Sequence, residues 1–134
     1  MPSDPRLAAF LSTGQPQRFY AGLSLLVSLA TDAELCIGLL SFDALELCLA
    51  EAGEARLSQD LEGLLSPQGR STFARSFAAL RDTALGLDRL LLYACSASME
   101  TMAVDRAEVE DRLDGVMSTP AFLKKAGRAQ IIFV

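Results

Sequence analysis

The sequence predicts an α/β fold in which helices cover a mostly parallel sheet of about five strands. Short apolar runs alternate with longer segments of helical spacing, which is typical of β-α-β units. The clearest of these runs are apolar at successive positions, which favours strands covered on both faces. The 134 residues fit one domain, residues 1–134, and 51% of them are hydrophobic. A chain of this length can bury a sizeable core.

Four strands are predicted from clear apolar runs, and a fifth from a shorter run. In chain order these runs cover residues 7–11, 35–40, 90–94, 115–117 and 129–134. The carboxyl ends of parallel strands lie at one edge of a sheet, where ligands bind in open α/β folds. That edge is expected to collect three loops that are far apart in sequence, namely residues 12–14, 41–43 and 95–96.

Helices are predicted between the strands from apolar spacing and capping patterns. Gln17 to Ala30 is apolar nearly throughout and is expected to be largely buried. Asp43 is expected to begin the next helix, with Glu46 completing a capping box, and Gly53 is expected to end it. Ser71 or Thr72 is expected to cap a third helix, whose apolar stripe contains Phe73, Phe77, Leu80, Ala84 and Leu87.

The later helices carry clearer end signals than the middle of the chain. Asp105 and Glu108 form a second capping box, and Thr119 is expected to cap a last helix that Gly127 ends. Residues 53–70 are the least interpretable segment. Leucines at helical spacing suggest a short helix in this segment, and a Ser-Pro-Gln-Gly turn follows it. These leucines are Leu57, Leu61, Leu64 and Leu65.

Composition excludes several classes of function. The net charge of −5 argues against nucleic acid and anionic membranes as partners. No apolar stretch approaches the length of a membrane span, and the first residues lack signal-peptide features, so we expect a cytoplasmic protein. Three cysteines without a CxxC pair fit a reducing compartment, and they give too few ligands for zinc unless carboxylates complete the site. Neither a metal nor a cofactor is expected.

The absence of histidine makes Cys95 the main candidate for chemistry. Without histidine, Ser-His-Asp and Cys-His catalysis and the HExxH zinc motif are excluded. Cys95 is expected to end a strand and begin a helix, where main-chain N–H groups and the helix dipole lower the pKa of a thiol. The competing interpretation is a small apolar residue that fills the end of a strand. Cys36 and Cys48 are expected to lie in the core.

Two groups of small polar residues are further candidates for binding an anion or a ligand. Ser96 and Ser98 follow Cys95 directly. Ser12, Thr13 and Gly14 follow the first strand, where main-chain N–H groups can bind an anion, although an ordinary β-α turn is the simpler interpretation.

The segment Leu92-Tyr93-Ala94-Cys95-Ser96-Ala97-Ser98-Met99-Glu100-Thr101-Met102 resembles the cysteine segment of the DsrE/DsrF-like family. Residues 106–123 and 39–43 are similar to other parts of that family, so the resemblance covers nearly the whole chain and is weakest over 53–70. It implies a three-layer α/β/α sandwich on a five-stranded parallel sheet. It also implies homo-oligomers (dimers, trimers or hexamers) and a cysteine, here Cys95, that accepts sulfane sulfur from a donor protein and passes it to an acceptor protein.

Three hypotheses about function follow. The leading hypothesis is a DsrE-like sulfur carrier or sulfurtransferase that holds a persulfide on Cys95. The second is a non-enzymatic oligomeric module of the same fold, which binds a small ligand or a partner and in which Cys95 is structural. The third is thiol redox chemistry at Cys95-x-x-Ser98, with Cys36 as a thiol that could approach in space. The nearly all-apolar first helix is expected to bury surface against copies of the chain.

Overall fold

The computed structural model describes residues 4–60 and 65–134 and contains one five-stranded sheet. All of its strand pairs are parallel, in the order β4-β3-β2-β1-β5. The strands are β1 Leu7–Leu11, β2 Cys36–Leu40, β3 Leu90–Cys95, β4 Gly115–Met117 and β5 Gln130–Phe133. The predicted α/β class, with its parallel sheet and short fifth strand, is confirmed.

Seven helices in the described part of the chain connect and cover the strands. They are α1 Pro16–Thr31, α2 Asp43–Cys48, α3 Ala50–Asp60, α4 Pro67–Gly86, α5 Ser96–Thr101, α6 Arg106–Arg112 and α7 Thr119–Ala126. Within the described residues, no helix is both long and apolar enough to cross a membrane.

Alternation along the strands divides the core into two parts, because successive strand side chains point to opposite faces of a sheet. On one face, strand residues such as Leu92 and Ala94 pack with α1 residues such as Phe19 and Leu26. The other face is covered by α7, whose main core contributions are Phe122 and Ala126. The strand residues in this second cluster are Ala8, Ile37, Leu39, Tyr93 and Cys95.

The helix expected from Asp43 to Gly53 is two helices, and three features of that prediction were wrong. The residue before α2 is Phe42, so Asp43 lies inside the helix and does not cap it. Leu49 is extended and separates α2 from α3, which continues through Gly53. A Cβ at Gly53 would lie 2.8 Å from the carbonyl oxygen of Leu47, so this glycine permits close packing of the two helices.

Three other helix starts differ from the sequence prediction. Helix α1 begins at Pro16, one residue before the predicted Gln17, and Gln15 caps it. Helix α4 begins at Pro67, and the hydroxyl of Ser66 accepts a hydrogen bond from the Gly69 N–H, so the expected turn is the first turn of the helix. Ser71 and Thr72 therefore lie inside α4. Helix α7 is capped by Ser118, one residue before the predicted Thr119. Of the leucines that suggested a short helix, Leu57 lies in α3, whereas Leu61 and Leu64 lie outside the described residues.

The second predicted capping box is only half formed. Asp105 caps α6 and accepts hydrogen bonds from the N–H groups of Ala107 and Glu108. The Glu108 carboxylate instead accepts the N–H of Ala50, 2.7 Å away at the start of α3. Because it satisfies an N–H of a different helix, Glu108 joins α6 to α3.

Candidate functional site

Cys95 lies at the carboxyl edge of the sheet, as predicted. It is the last residue of β3 and immediately precedes α5. Its backbone is extended, with φ −67° and ψ 127°, and its thiol makes no capping hydrogen bond to α5. Because all five strands are parallel, the loops after β1 and β2 end at this same edge.

The Cys95 side chain faces α7 and is nearly enclosed. It is 5% exposed and belongs to the cluster that includes Tyr93 and Phe122, with Met117 its register partner on β4. The Lys125 ammonium lies 5.8 Å from the centre of the Tyr93 ring, so α7 brings a cation to the edge of this cluster. The surroundings of Cys95 are therefore mainly apolar, and the residue retains a small exposed area.

Ser98 connects α5 to the turn after β2. Its hydroxyl is buried and accepts a hydrogen bond from the Phe42 N–H at 2.8 Å. Phe42 has φ 48° and ψ −116°, a backbone conformation that a residue with a Cβ rarely adopts and that costs about 1–3 kcal/mol. Ser98 thus holds a strained turn against the helix that starts after Cys95. Ser96, the other predicted candidate in this helix, is half-buried at its first position.

The loop of Ser12, Thr13 and Gly14 is engaged within the chain. The N–H groups of Ser12 and Thr13 both donate to the carbonyl oxygen of Val134, at 2.7 and 3.1 Å. A Cβ at Gly14 would lie 2.7 Å from a carboxylate oxygen of Asp43. Two main-chain donors are already used and a carboxylate lies against the loop, so this geometry favours an ordinary β-α turn over an anion site.

Arg56 is a feature of this edge that sequence reasoning missed. Arg56 forms ion pairs with Asp43 at 2.9 Å and Glu46 at 3.3 Å, and it joins α3 to α2 beside Gly14. No local pattern links residues this far apart, so the pairing had no sequence signal. Phe42, in the predicted loop of residues 41–43, lies two residues after β2 and has an exposed side chain.

The other two cysteines lie deeper than Cys95. Cys36 and Cys48 are both 0% exposed, and burial raises the pKa of each thiol. For Cys48 the pKa rises to about 12 despite the attraction of Arg81 and Arg112. Cys36 starts β2, pairs with Leu90, and faces the α1 side of the sheet. It is therefore about 16 Å along the strands from Cys95, and on the opposite face, too far for a disulfide within one chain.

Side chains that can bind metals are dispersed in the part of the chain that the structure describes. Among the residues the structure describes, no group of three or more cysteine, aspartate or glutamate side chains is placed to hold a metal ion. Beside Cys95, the carboxyl edge presents the hydroxyl of the half-buried Ser96 at the start of α5.

A scan against protein-family models finds no match to this chain, and a search of the curated proteins finds none either. The resemblance to DsrE-like proteins therefore depends on residues 92–102 and on the order of the strands and helices along the chain.

Proposed function

We propose that this chain is a DsrE-like sulfur carrier or sulfurtransferase, with Cys95 as the residue that holds the persulfide. The observation that carries the proposal is the position of Cys95, at the end of β3 and the carboxyl edge of an all-parallel sheet. The partners would be a sulfur-donor protein and a sulfur-acceptor protein. We place this chemistry in the cytoplasm, because three unpaired cysteines fit a reducing compartment.

The contrast with the other cysteines supports this choice of residue. Of the three cysteine residues, Cys95 alone is partly exposed, and burial raises the pKa values of Cys36 and Cys48. A thiol that is enclosed and protonated is a poor nucleophile, because the thiolate is the reactive form. Sulfur arriving at the protein surface would consequently meet Cys95 first.

The transfer itself needs no catalytic histidine. The Cys95 thiolate, after loss of its proton to water, attacks the terminal sulfur of a donor persulfide, R–S–SH. A bond forms between Cys95 Sγ and that sulfur while the donor S–S bond breaks, and the donor leaves as R–S⁻. A nucleophilic acceptor then takes the terminal sulfur and restores the Cys95 thiolate. Two exchanges of this kind involve no net oxidation and no cofactor.

The experiment compares sulfur loading of wild-type protein, Cys95→Ser and Cys36→Ala. Each reduced protein is incubated with inorganic polysulfide, and its intact mass is measured under native conditions. Wild type and Cys36→Ala should gain the mass of sulfur, and Cys95→Ser should not. Full loading of Cys95→Ser would contradict the proposal, as would an unloaded wild-type protein.

A second candidate is a partner-binding module in which Cys95 is structural. The observation that favours it is the 5% exposure of Cys95 among Tyr93, Met117 and Phe122. Small buried cysteines commonly act as packing residues. In that case, iodoacetamide would leave Cys95 unmodified in the native protein. Rapid alkylation of native Cys95, followed by slow alkylation of the other two thiols, would favour the sulfur carrier.

A further inference from the structure

The face of the sheet that Cys95 shares with α7 is covered over β2 but left open over β5. In the described part of the chain, α7 supplies the helical core residues of this face, and the core residues of α1 to α6 lie on the opposite face. Ile131 and Phe133 of β5 pair with Ala8 and Phe10 of β1. Although they belong to the α7 face, Ile131 is 50% exposed and Phe133 is 74% exposed. The edge strand β5 therefore has an open apolar side.

Leu123 of α7 faces the same open region. The Lys125 ammonium lies 5.8 Å from the centre of the Tyr93 ring, so Lys125 is on the β3 side of α7. Each residue turns an α-helix by about 100°. Leu123, two positions earlier, therefore projects to the opposite side, toward β1 and β5, and it is an exposed large apolar side chain. We name this surface the β5 trough and define it by Phe10, Leu123, Ile131 and Phe133.

The β5 trough lies where a second helix would pack beside α7. Neighbouring strands are about 4.8 Å apart, so β5 lies about 10 Å from β2, the strand on which α7 packs. The axes of helices that pack side by side are about 8–10 Å apart. A helix laid along β5 would therefore contact the exposed side chains of this strand and Leu123 of α7 at the same time. Helices ordinarily cover both faces of a parallel sheet.

Two cations lie at the end of the β5 trough where β1 and β5 begin. Arg6 and Arg128 are exposed, and Arg6 alternates onto the face of Ala8 because its main chain already follows the sheet ladder. Neither guanidinium forms a hydrogen bond or an ion pair within residues 4–60 and 65–134. The nearby Asp4 carboxylate accepts the main-chain N–H of Arg128 at 2.9 Å, so it does not occupy the guanidinium. Both cations are available to carboxylates of a partner.

We propose that the β5 trough binds an amphipathic helix of a partner protein, with acidic residues at the end of that helix beside Arg6 and Arg128. The apolar side of such a helix would remove the trough from water, as in other helix-in-groove complexes. A second trough of this chain would bring further cations and not the carboxylates that pair with them, so charge complementarity favours a different protein. The trough is on the side of the sheet that Cys95 faces, but this contact does not depend on the proposed function.

Two synthetic peptides test the shape and the charge of the proposed partner. Each has about 15 residues with leucines along one side of a helix, and its last turn contains either glutamates or lysines. The fluorescence anisotropy of each labelled peptide is measured as the full chain is added. The glutamate peptide should bind with a Kd of about 10–100 μM. The lysine peptide should bind at least about tenfold more weakly.

Substitutions in the β5 trough should weaken the binding of the glutamate peptide. Phe133→Ser and Leu123→Ser each remove apolar surface and should raise its Kd by about tenfold. Leu25→Ser is the matched control, because Leu25 is a leucine of similar exposure on α1, a helix of the opposite face. Arg128→Glu should reduce the preference for the glutamate peptide to about threefold or less. Arg89→Glu, an exposed reversal before β3, should leave this preference unchanged.

Several results would overturn this inference. One is a glutamate peptide that does not bind at about 1 mM protein, and others are equal binding of the two peptides or wild-type binding by Phe133→Ser. A wild-type dimer in sedimentation velocity that Phe133→Ser makes monomeric would assign the β5 trough to a second copy. Binding to phosphatidylserine vesicles that Phe133→Ser abolishes would assign it to a membrane surface. Circular dichroism confirms that each variant is folded.

Discussion

Cys48 and Cys95 each end a secondary-structure element, yet their environments are different. Cys48 ends α2, is fully enclosed, and lies near the guanidinium groups of Arg81 and Arg112. Cys95 ends β3 at the carboxyl edge of the sheet and retains a small exposed area. Judged from neighbouring charge alone, Cys48 would be the activated thiol.

The pKa of Cys48 shows why neighbouring charge is not sufficient. Burial raises this pKa to about 12, and the two arginines only partly oppose that effect. The desolvation of a thiolate in the core therefore outweighs the attraction of two cations. The comparison teaches that the position of a thiol in the fold decides its chemistry here, and the following predictions test that conclusion.

The largest expected effect is on the rate of Cys48 alkylation. A pKa of about 12, against the ordinary value of 9.0, lowers the thiolate fraction near neutral pH. Each pKa unit changes that fraction tenfold, so native Cys48 should react with iodoacetamide at least about a thousandfold more slowly than in the unfolded chain. Peptide-resolved mass spectrometry over time measures this rate. Equal rates in native and urea-unfolded protein would show that Cys48 is not protected.

The next effect is a dependence of stability on pH that Cys48 causes. Its pKa is higher in the folded chain than in the unfolded chain, so between about pH 9 and 12 the folded state binds more protons. The free energy of unfolding should therefore fall as pH rises through this range, by up to about 1.4 kcal/mol per pH unit. Urea unfolding at several pH values measures the slope. Cys48→Ala should be less steep, and an identical slope in this variant would assign the effect to other groups.

A smaller effect, on the free energy of unfolding, is expected from removing the Arg112 side chain that contacts the Cys48 backbone. Its Nε atom donates a hydrogen bond to the Cys48 carbonyl oxygen at 3.1 Å, and the side chain is largely buried. Arg112→Met keeps much of the aliphatic packing but removes this donor, and should lower the free energy of unfolding by about 1–3 kcal/mol. Arg106→Met, an exposed change on the same helix, is the control. Equal stabilities of the two variants in urea would argue against a structural role for this hydrogen bond.

The smallest effect concerns the hydrogen bond beside Cys95. Ser98→Ala leaves the Phe42 N–H without its acceptor and should cost about 1–2 kcal/mol of stability. Loosening the start of α5 should also speed the alkylation of Cys95. Ser96→Ala, in the same helical turn, removes a hydroxyl that makes no hydrogen bond within the described residues and should change neither property. If both variants gave wild-type stability and rates, Ser98 would have no part in positioning Cys95.

Periodicity and end signals predicted the parallel sheet and the place of Cys95, because both depend on residues close together in sequence. Apolar runs located all five strands, including the three residues of β4. The same signals failed between Asp43 and Thr72, where tertiary contacts decide the local structure. Gly53 there packs against the carbonyl oxygen of Leu47, although a glycine in that position usually ends a helix.

Contacts between distant residues explain the rest of what the sequence did not predict. Arg56 reaches Asp43, and Glu108 caps a helix that begins 58 positions earlier in the chain. Phe42 adopts a conformation that its residue type disfavours, and its N–H donates a hydrogen bond to Ser98, which is 56 positions later in the chain. These contacts form only when separate elements pack together, so local sequence patterns do not predict them.

The most direct measurement of the central claim locates bound sulfur in the native wild-type protein. After brief exposure to inorganic polysulfide, the protein is digested at low pH, and the three cysteine peptides are compared by mass spectrometry. We predict sulfur on the peptide that contains Cys95 and none on those that contain Cys36 or Cys48. Sulfur on either core cysteine at the level of Cys95, or no sulfur on Cys95, would contradict the proposal that this position carries the persulfide.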